Sequence, residues 1–510
     1  MSELFLNYHD NSRGDDTSSK ELYIFGQPGE RVQIKNLNGF SRSVELNQKG
    51  FSIVKIPIEQ AMIGTGTNQL GFQIKAEGDV TAYFSNRSPL TTDLTVILEK
   101  ASLGKEYVLA SNGFENRESG QFSVQATEDS TVVEVALPDG QAFSRTLQAG
   151  ETFKFATGVN SNSLGISIPA SFDLTGTRVT TSAPAAVFSG HLCTNLGEGR
   201  CDHLLEQMPP IKSLSSSYVV GSASSDRGSG NNLIRVIAPS ANTQVKINGK
   251  VVASIGAQDH YEFVLTDAAA VVETSKPTLI AQYLQGNTTA GEGDPAMMFV
   301  PGRKSWLSSY RLATPAGAAQ FDSNLVNIII PTSAISTLKL EGQAVDSSRF
   351  TRIAGTGLSV GNVDVPIGLF SLTADRAFQV SLFGYEDFDS YLTFGAATFA
   401  RGISPINPTE PNLTLSGTDS RDILSGKGGS DRIKALAGND LVEGKGGNDT
   451  IFGLAGNDRL IGGDGDDRLL GGDGSDTIRG GAGSEILKGE AGRDRIMGEE
   501  GGGRVIAGRG

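Results

Sequence analysis

The sequence predicts an all-β protein in which β-sandwich-like units of about 100 residues repeat and a C-terminal parallel β-roll follows. Short alternating runs, such as 131–135 and 243–247, are separated by Gly, Asn and Asp turns, as in antiparallel strands. Ten nonapeptides then run without a gap from Gly417 to Ile506. No segment keeps a helical period, and we expect short helices only near Ile58–Met62 and Leu204–Gln207.

The 100-residue repeat is marked by an apolar strand that ends in aromatic residues. Counting from Phe84, Phe188, Tyr283 and Phe383, the steps are 104, 95 and 100 residues. Residues 20–85 resemble the second half of a unit, and 384–400 the start of another. This offset permits a row of sandwiches, which we favour, or a closed, propeller-like ring whose last unit is completed by the N-terminus.

Composition divides the chain into four segments. The N-terminal segment is polar and is predicted to be a flexible leader, whereas Pro405, Pro408 and Pro411 indicate a linker before the roll. The predicted boundaries are 1–19 for the leader, 20–400 for the β-rich repeats, 401–412 for the linker and 413–510 for the roll.

The nonapeptides carry a metal-binding pattern. The run from Gly471 to Arg479 matches G-G-x-G-x-D-x-U-x at every fixed position and resembles the calcium-binding repeat of RTX proteins. The eighth position is apolar in all ten repeats, which predicts an interior, and glycine permits the positive φ of sharp turns. The sixth position is acidic in nine: Asp422, Asp431, Asp440, Asp449, Asp458, Asp467, Asp476, Glu485 and Asp494, with Gly503 in the tenth.

The period predicts where calcium would bind. Two nonapeptides form one turn, so carboxylates two repeats apart stack along two edges. There they and turn carbonyls supply the oxygens that calcium prefers. The predicted carbonyls are those of Gly417, Gly426, Gly429, Gly438, Gly444, Gly447, Gly453, Gly456, Gly462, Gly465, Gly471, Gly474, Gly480 and Gly483. We expect several ions (roughly five to seven), a weak site at Glu485, and a roll that folds only with calcium.

Charge and hydropathy restrict the partners and the location. The net charge is −14, and the absence of a basic cluster in the sequence argues against nucleic acid or anionic membranes as partners. No apolar run is long enough for a transmembrane helix, and the first 20 residues do not resemble a secretory signal peptide. The calcium repeats predict an extracellular protein, secreted or attached to the bacterial surface, that uses type I export, although no export signal is visible after the last repeat.

Residues 180–400 resemble the IgGFc-binding protein N-terminal domain family. The resemblance rests on the segment 187–193, on 201–210 with its Cys-Asp-His-Leu-Leu-Glu-Gln-Met-Pro-Pro sequence, on 293–298, and on 383–385. It implies an extracellular β-rich binding or adhesive domain and no defined enzyme. Antibody binding does not carry over, since no family residue for it maps onto this chain.

The first two of these segments also contain the candidate side chains outside the repeats. Cys193 and Cys201, eight residues apart, are predicted to form a disulfide, with thiolate metal ligands as the alternative. His191, His203 and Glu206 could hold a catalytic zinc ion. Together with Asp202 they could instead form a buried polar network, which we favour because their spacing matches no zinc motif.

These features favour a non-enzymatic calcium-binding surface protein. The β-rich region would bind a protein or glycan or assemble with itself, in adhesion, a surface layer or motility. The alternative is a secreted metal-dependent hydrolase that uses the repeats for type I export. The ligand and the oligomeric state stay open at this point.

Overall fold

A computed structural model describes most of the chain, which divides into two compact units, Met1–Phe399 and Ala400–Gly510. Within the described part no helix is long and apolar enough to cross a membrane. The described residues are 2–9, 19–88, 91–113, 119–158, 168–194, 196, 202–223, 232–285, 295–315, 321, 323–386, 389–395, 414–426, 430–482, 484–498 and 504–506.

The first unit contains four β modules, here named A (3–97), B (104–207), C (215–299) and D (307–394). Module A contains β1 (Glu3–Leu6), β2 (Ser19–Phe25), β3 (Arg31–Asn36), β4 (Ser41–Glu45), β5 (Phe51–Lys55), β6 (Gly66–Asn68), β7 (Phe72–Ala76), β8 (Thr81–Ser88) and β9 (Thr91–Ile97). Module B contains β10 (Gly104–Val108), β11 (Gly120–Ala126), β12 (Thr131–Ala136), β13 (Ala142–Leu147), β14 (Thr152–Ala156), β15 (Arg178–Thr194) and β16 (Asp202–Gln207).

Modules C and D repeat this order. Module C contains β17 (Ser215–Gly221), β18 (Asn232–Ala238), β19 (Thr243–Ile247), β20 (Lys250–Ile255), β21 (Asp259–Leu265), β22 (Ala269–Leu284) and β23 (Ala296–Phe299). Module D contains β24 (Leu307–Ala313), β25 (Ser323–Pro331), β26 (Lys339–Leu340), β27 (Gln343–Ala344), β28 (Phe350–Ile353), β29 (Leu358–Asp364), β30 (Leu369–Glu386) and β31 (Asp389–Phe394).

One long strand organises each of modules B, C and D. β15, β22 and β30 are 17, 16 and 18 residues long, and each pairs with the first, second and last strands of its own module. In module A the two strands β7 and β8 take this place, because β7 pairs with β1 and β8 with β2 and β9. Phe188, Tyr283 and Phe383 lie on the long strands and Phe84 lies on β8, which confirms the repeat.

A tyrosine fixes the first strand of modules B, C and D to the long strand. The hydroxyl of Tyr107 donates to the Ala185 carbonyl oxygen at 2.6 Å, and Tyr218 and Tyr310 make the equivalent bonds to Thr278 and Phe378. Each bond lies where the pairing between the two strands shifts register. The phenol therefore satisfies a carbonyl that would otherwise be buried without a partner.

The modules close into a ring through their last strands. β9 contacts β16, β16 contacts β23, β23 contacts β31, and β31 contacts β9. The seam between modules D and A includes a 2.7 Å hydrogen bond from the Thr92 hydroxyl to an Asp389 carboxylate oxygen. The four modules are thus arranged as a closed ring, which was the alternative architecture, and not as the row of sandwiches that we favoured. Its last unit is complete within module D, so the predicted exchange of half-units between the chain ends is wrong.

Two local predictions also fail. The expected flexible leader contains the strand β1, whose Leu4, Phe5 and Leu6 are at most 1% exposed, because module A needs a first strand against β7. Leu204–Gln207, expected as a short helix, lies in β16, where pairing with β15 and contact with β9 override the local preference. Near Ile58 there is a single 3₁₀ turn, Ile58–Gln60. The predicted linker and residues 10–18 of the leader lie outside the described residues.

The second unit is the predicted parallel roll. Six strands form one sheet: β32 (Thr414–Ser416), β34 (Arg432–Ala437), β36 (Thr450–Ala455), β38 (Arg468–Asp473), β40 (Ile486–Ala491) and β42 (Arg504–Ile506). The other sheet contains β33 (Ile423–Ser425), β35 (Leu441–Gly446), β37 (Arg459–Asp464), β39 (Thr477–Ala482) and β41 (Arg495–Met497). Parallel neighbours are 18 residues apart, so every second nonapeptide stacks. The eighth-position residues Ile433, Val442, Ile451, Leu460, Leu469, Ile478 and Leu487 are fully buried between the sheets.

Candidate calcium sites and a buried polar network

The repeat carboxylates stack along two edges of the roll. The backbone N–H of Asp449 donates to Oδ1 of Asp467, 18 residues further on, at 2.8 Å, and Asp458 donates in the same way to Asp476. The same bond joins 422 to 440, 431 to 449, 440 to 458, and 476 to 494. One oxygen of each acceptor carboxylate is therefore held by the adjacent turn.

The second oxygen of each of these carboxylates points into a buried space. Within the described part of the roll, the buried carboxylate oxygens without a hydrogen-bond partner are Oδ2 of Asp440, Asp449, Asp458, Asp467, Asp476 and Asp494, and both oxygens of Glu485. Burial raises the pKa of Asp449 to about 7 and that of Asp467 to about 8, because the charged form loses hydration. Buried polar groups in proteins normally have partners, so this row of carboxylate oxygens is suited to bind cations.

Carbonyl oxygens of the next turn face the same space. A Cβ atom placed on Gly462 would lie 2.2 Å from Oδ2 of Asp467 and 2.5 Å from the carbonyl oxygen of Gly480. Equivalent pairs surround Gly426, Gly444, Gly453 and Gly471. Only a residue without a side chain leaves this space open, and oxygen donors of these two kinds suit calcium.

The predicted ligands differ in how well they fit this arrangement. The carbonyls of Gly444, Gly462, Gly471 and Gly480 each lie beside a repeat carboxylate, and their binding of calcium stays a prediction. Beside Gly480, the longer Glu485 places its Cγ at 2.9 Å and Oε2 at 3.1 Å from the Cβ position, in place of an aspartate Oδ2. Gly429, Gly483 and Gly503 lie outside the described residues.

The second position has a left-handed backbone in the third to ninth repeats. Gly463, Gly472 and Gly481 have φ of 119°, 113° and 112° there, whereas Leu436, Lys445, Leu454 and Glu490 are held at 83°, 81°, 79° and 71°. A side chain in this region is strained, so these four positions cost stability that a glycine would not.

Leu454→Gly should therefore stabilise the calcium-loaded roll by about 0.5–1 kcal/mol, because the strain relieved exceeds the entropy cost of a glycine. The matched control is Leu470→Gly, on β38, which lacks a positive φ and should be destabilised. Urea unfolding followed by far-ultraviolet circular dichroism measures both variants. A loss of stability in Leu454→Gly would contradict the strain argument.

A buried polar network lies at the centre of the ring. His203 on β16 bonds through Nδ1 to Asp93 on β9, and its Nε2 lies 3.1 Å from the side-chain nitrogen of Gln121 on β11. Asp93 also accepts from the backbone N–H of Leu205 at 3.0 Å. The network thus joins three strands of modules A and B.

Glu206 and His191 lie in the same region. The Thr95 hydroxyl donates to Glu206 Oε2 at 2.6 Å, and burial raises the pKa of Glu206 well above its usual value. His191 Nδ1 accepts from the backbone N–H of Cys193 at 3.1 Å. Across the described residues no three His, Cys, Asp or Glu side chains are placed to hold a metal ion, so the zinc set His191, His203 and Glu206 is not formed. These side chains are buried and hydrogen-bonded, but their side-chain partners are Asp93, Gln121 and Thr95 rather than one another.

Two buried charged interactions of the ring, Asp93 with His203 and Arg235 with its partners, were not predicted from the sequence. Asp93 is 110 residues from His203, and Arg235, which bonds to five groups between modules B and C, is more than 60 residues from Asp173. A charged residue inside an apolar strand, Leu-Ile-Arg-Val-Ile at 233–237, was the signal that could have pointed to Arg235.

Burial of His191 predicts a pH dependence of ring stability. Loss of hydration lowers the pKa of His191 to about 4, opposed by Asp173 and reinforced by His203. Because the unfolded chain takes up this proton near its ordinary pKa of about 6.5 and the folded ring does not, stability is retained above that pH and falls below it.

At pH 5 the loss attributable to His191 should be about 2 kcal/mol relative to pH 7.5. His191→Asn keeps an acceptor for the Cys193 N–H and should show a correspondingly shallower decline. Denaturant titrations at the two pH values compare the wild type with the variant. Equal declines in both proteins would show that His191 carries no such coupling.

Comparison with known proteins places the ring in a family. The model of the IgGFc binding protein family matches residues 93–384, which is more than half of the chain. The chain belongs to the IgGFc-binding protein family. The RTX calcium-binding nonapeptide repeat matches residues 416–451, 443–478 and 479–510. Neither is an enzyme family.

One relative and two solved structures show sequence or structural similarity to this chain. The human IgGFc-binding protein is 26% identical over 420 residues, which are 79% of this chain and 7% of that protein. The chain thus spans a small fraction of that relative. A solved structure from a 1.5-MDa bacterial ice-binding adhesin aligns at 11% identity over 56% of this chain and 86% of its own, with a TM-score of 0.11. A tandem repeat of a large adhesion protein aligns at 10% identity over 73% and 92%, with a TM-score of 0.09. Neither alignment supports a structural argument.

Proposed function

We propose that this protein is a calcium-dependent extracellular surface protein. Its roll would fold when it binds calcium, and its ring would bind a protein or glycan partner. The observation that supports this most strongly is the row of buried carboxylate oxygens that lack partners and face turn carbonyls across glycine gaps.

Calcium would act on the roll as a folding cofactor. Asp440, Asp458, Asp476 and Asp494 stack along one edge and Asp449, Asp467 and Glu485 along the other, so their charges repel when no cation lies between them. The thin interior of one apolar residue per nonapeptide offsets little of that repulsion. The metal's binding free energy would then become folding free energy, for roughly five to seven ions.

The location follows from the calcium requirement. Calcium reaches millimolar concentrations outside cells, so the roll would be disordered before export and folded afterwards. We propose type I secretion and a Cys193–Cys201 disulfide formed outside the cell; Cys201 lies outside the described residues. Non-reducing peptide mapping of the secreted protein would show a linked 193–201 peptide, and free thiols at both positions would contradict the pairing.

Binding, rather than catalysis, is the activity we propose for the ring. His203 and Glu206, which the hydrolase alternative would need as metal ligands, are engaged by Asp93 and Thr95. The human relative is named for binding IgG Fc. For this chain the partner class is proposed only as a protein or a glycan, in adhesion, a surface layer, motility or self-assembly.

A calcium titration tests the proposed function. Full-length protein stripped with EGTA is titrated with calcium, and in parallel with magnesium, while far-ultraviolet circular dichroism and the calcium content per chain are recorded. A cooperative gain of strand signal with several bound calcium ions, and no gain with magnesium, is the expected result. Unchanged spectra and no retained calcium would refute the proposal.

A further inference from the structure

On one sheet of the roll, the two positions that flank the buried eighth position carry basic, apolar and hydroxyl side chains. We define face J as the residues of β32, β34, β36, β38 and β40 that flank the buried eighth position and point outward. They are the residues on either side of the buried eighth position: Thr414, Ser416, Arg432, Lys434, Thr450, Phe452, Arg468, Leu470, Ile486 and Lys488. Four of these are cations and none is an acid, in a chain whose net charge is −14.

The parallel register fixes the positions of the four cations. Arg432 and Lys434 share β34, Arg468 lies two strands further along the sheet, and Lys488 lies on the next strand. Neighbouring strands are about 4.8 Å apart, so the four charges extend over roughly 15 Å along the roll. Among the described residues none of the four forms an ion pair, and Arg432, Lys434 and Arg468 are exposed.

An apolar strip lies between these charges. Phe452 and Leu470 are half-buried and Ile486 is 38% exposed, and the Arg432 guanidinium lies over the Phe452 ring at 4.8 Å from its centroid. The acidic residues at the sixth position are turned to the edges of the roll, where they face the calcium positions. The exposed Asp473 and Glu490 lie in the C-terminal halves of β38 and β40, outside face J. Folding therefore separates charges that alternate along the sequence, and this is why no basic cluster is visible there.

We propose that face J binds a linear anionic polysaccharide. A rigid row of cations complements the regularly spaced charges of such a polymer, and counterion release would supply much of the affinity. The face is a flat sheet surface with few apolar side chains, so it lacks the protruding apolar groups by which peripheral proteins enter a lipid layer. A second copy meeting face to face would place cation against cation.

This inference rests on the proposed function, because face J exists only when the roll is folded. The other sheet provides an internal comparison. Its outward residues include Arg459, Arg479 and Arg495 but also the acidic Glu443. Its net charge is therefore lower, and it should contribute less to binding.

The test measures binding of full-length protein in millimolar calcium to immobilised dextran sulfate, with uncharged dextran as the blank. The face J variant combines Arg432→Gln, Lys434→Gln, Arg468→Gln and Lys488→Gln. It should bind about tenfold more weakly, or weaker still, at physiological ionic strength. The slope of log K against log salt concentration should become shallower by about 3. The matched control, with the same change in charge, combines Lys35→Gln, Arg42→Gln, Lys212→Gln and Lys250→Gln on the exposed surface of the ring. It should bind like the wild type.

Three outcomes would overturn the inference. The control could lose as much affinity as the face J variant. A variant of the other sheet, which combines Arg459→Gln, Arg479→Gln and Arg495→Gln, could lose more affinity than the face J variant. Phosphatidylglycerol vesicles could also displace the protein from dextran sulfate at a lower anion concentration than free dextran sulfate does. Circular dichroism of every sample separates these results from failure of the roll to fold, which would refute the proposed function instead.

Discussion

Replacing Arg235 with alanine is expected to destabilise the ring by about 3 kcal/mol. The Arg235 side chain is nearly buried between modules B and C. Its nitrogens donate to the Ser111 carbonyl at 2.8 Å, to Asp173 at 2.9 Å and to Asn112 at 2.6 Å, with further bonds to Thr175 and Glu262. Without the guanidinium each of these acceptors loses a donor inside the seam between the two modules, and the partly buried Asp173 loses its ion pair.

The single tryptophan makes this measurement specific to the ring. Trp306, which directly precedes module D, is 8% exposed, and the roll contains no tryptophan, so its fluorescence reports ring unfolding alone. The control Arg178→Ala removes an exposed ion pair with Glu106 at 3.2 Å and should change stability by less than about 0.5 kcal/mol. Equal effects of the two substitutions would show that Arg235 is not a main contact of the seam.

Gly462→Ala should remove calcium from one edge of the roll. The new methyl group would occupy the space that Oδ2 of Asp467 and the carbonyl oxygen of Gly480 face, at 2.2 Å and 2.5 Å. We expect at least one ion fewer per chain by native mass spectrometry. The calcium midpoint of folding should rise about tenfold, which corresponds to about 1.4 kcal/mol.

Gly256→Ala is the matched control for this substitution. Its Cβ would lie in the ring with its nearest neighbour atom at 3.7 Å, so the calcium response should be unchanged. If Gly462→Ala bound the full complement of calcium with the wild-type midpoint, the space beside Asp467 would not be a calcium site.

The roll could be predicted in detail because its contacts are periodic in the sequence. A contact between Asp449 and Asp467 is one of a series that repeats every 18 residues, so the period alone specifies which carboxylates stack. Position two of the repeat was less predictable, since Leu436 and Leu454 adopt a backbone that glycine prefers. There the stacked neighbours impose the conformation against the local preference.

The ring was predictable only as far as its repeat. The aromatic spacing from Phe84 to Phe383 located the modules, but the order of contacts among β9, β16, β23 and β31 has no signal in the local pattern. The strand at Leu4–Leu6 is too short to show alternation, so its burial against β7 was missed. Pairs such as Asp93 and His203 meet because the last strands of neighbouring modules pack together, which sequence spacing does not encode.

Hydrogen exchange measured by mass spectrometry tests calcium-coupled folding of the roll most directly. The full-length protein is labelled in millimolar calcium and again after EGTA, and peptides from 432–491 are compared with peptides from the long strands β15, β22 and β30. We predict slow exchange of the roll amides in calcium, exchange at unfolded rates after EGTA, and unchanged protection of the long strands. Equal protection of the roll in both conditions would contradict the account.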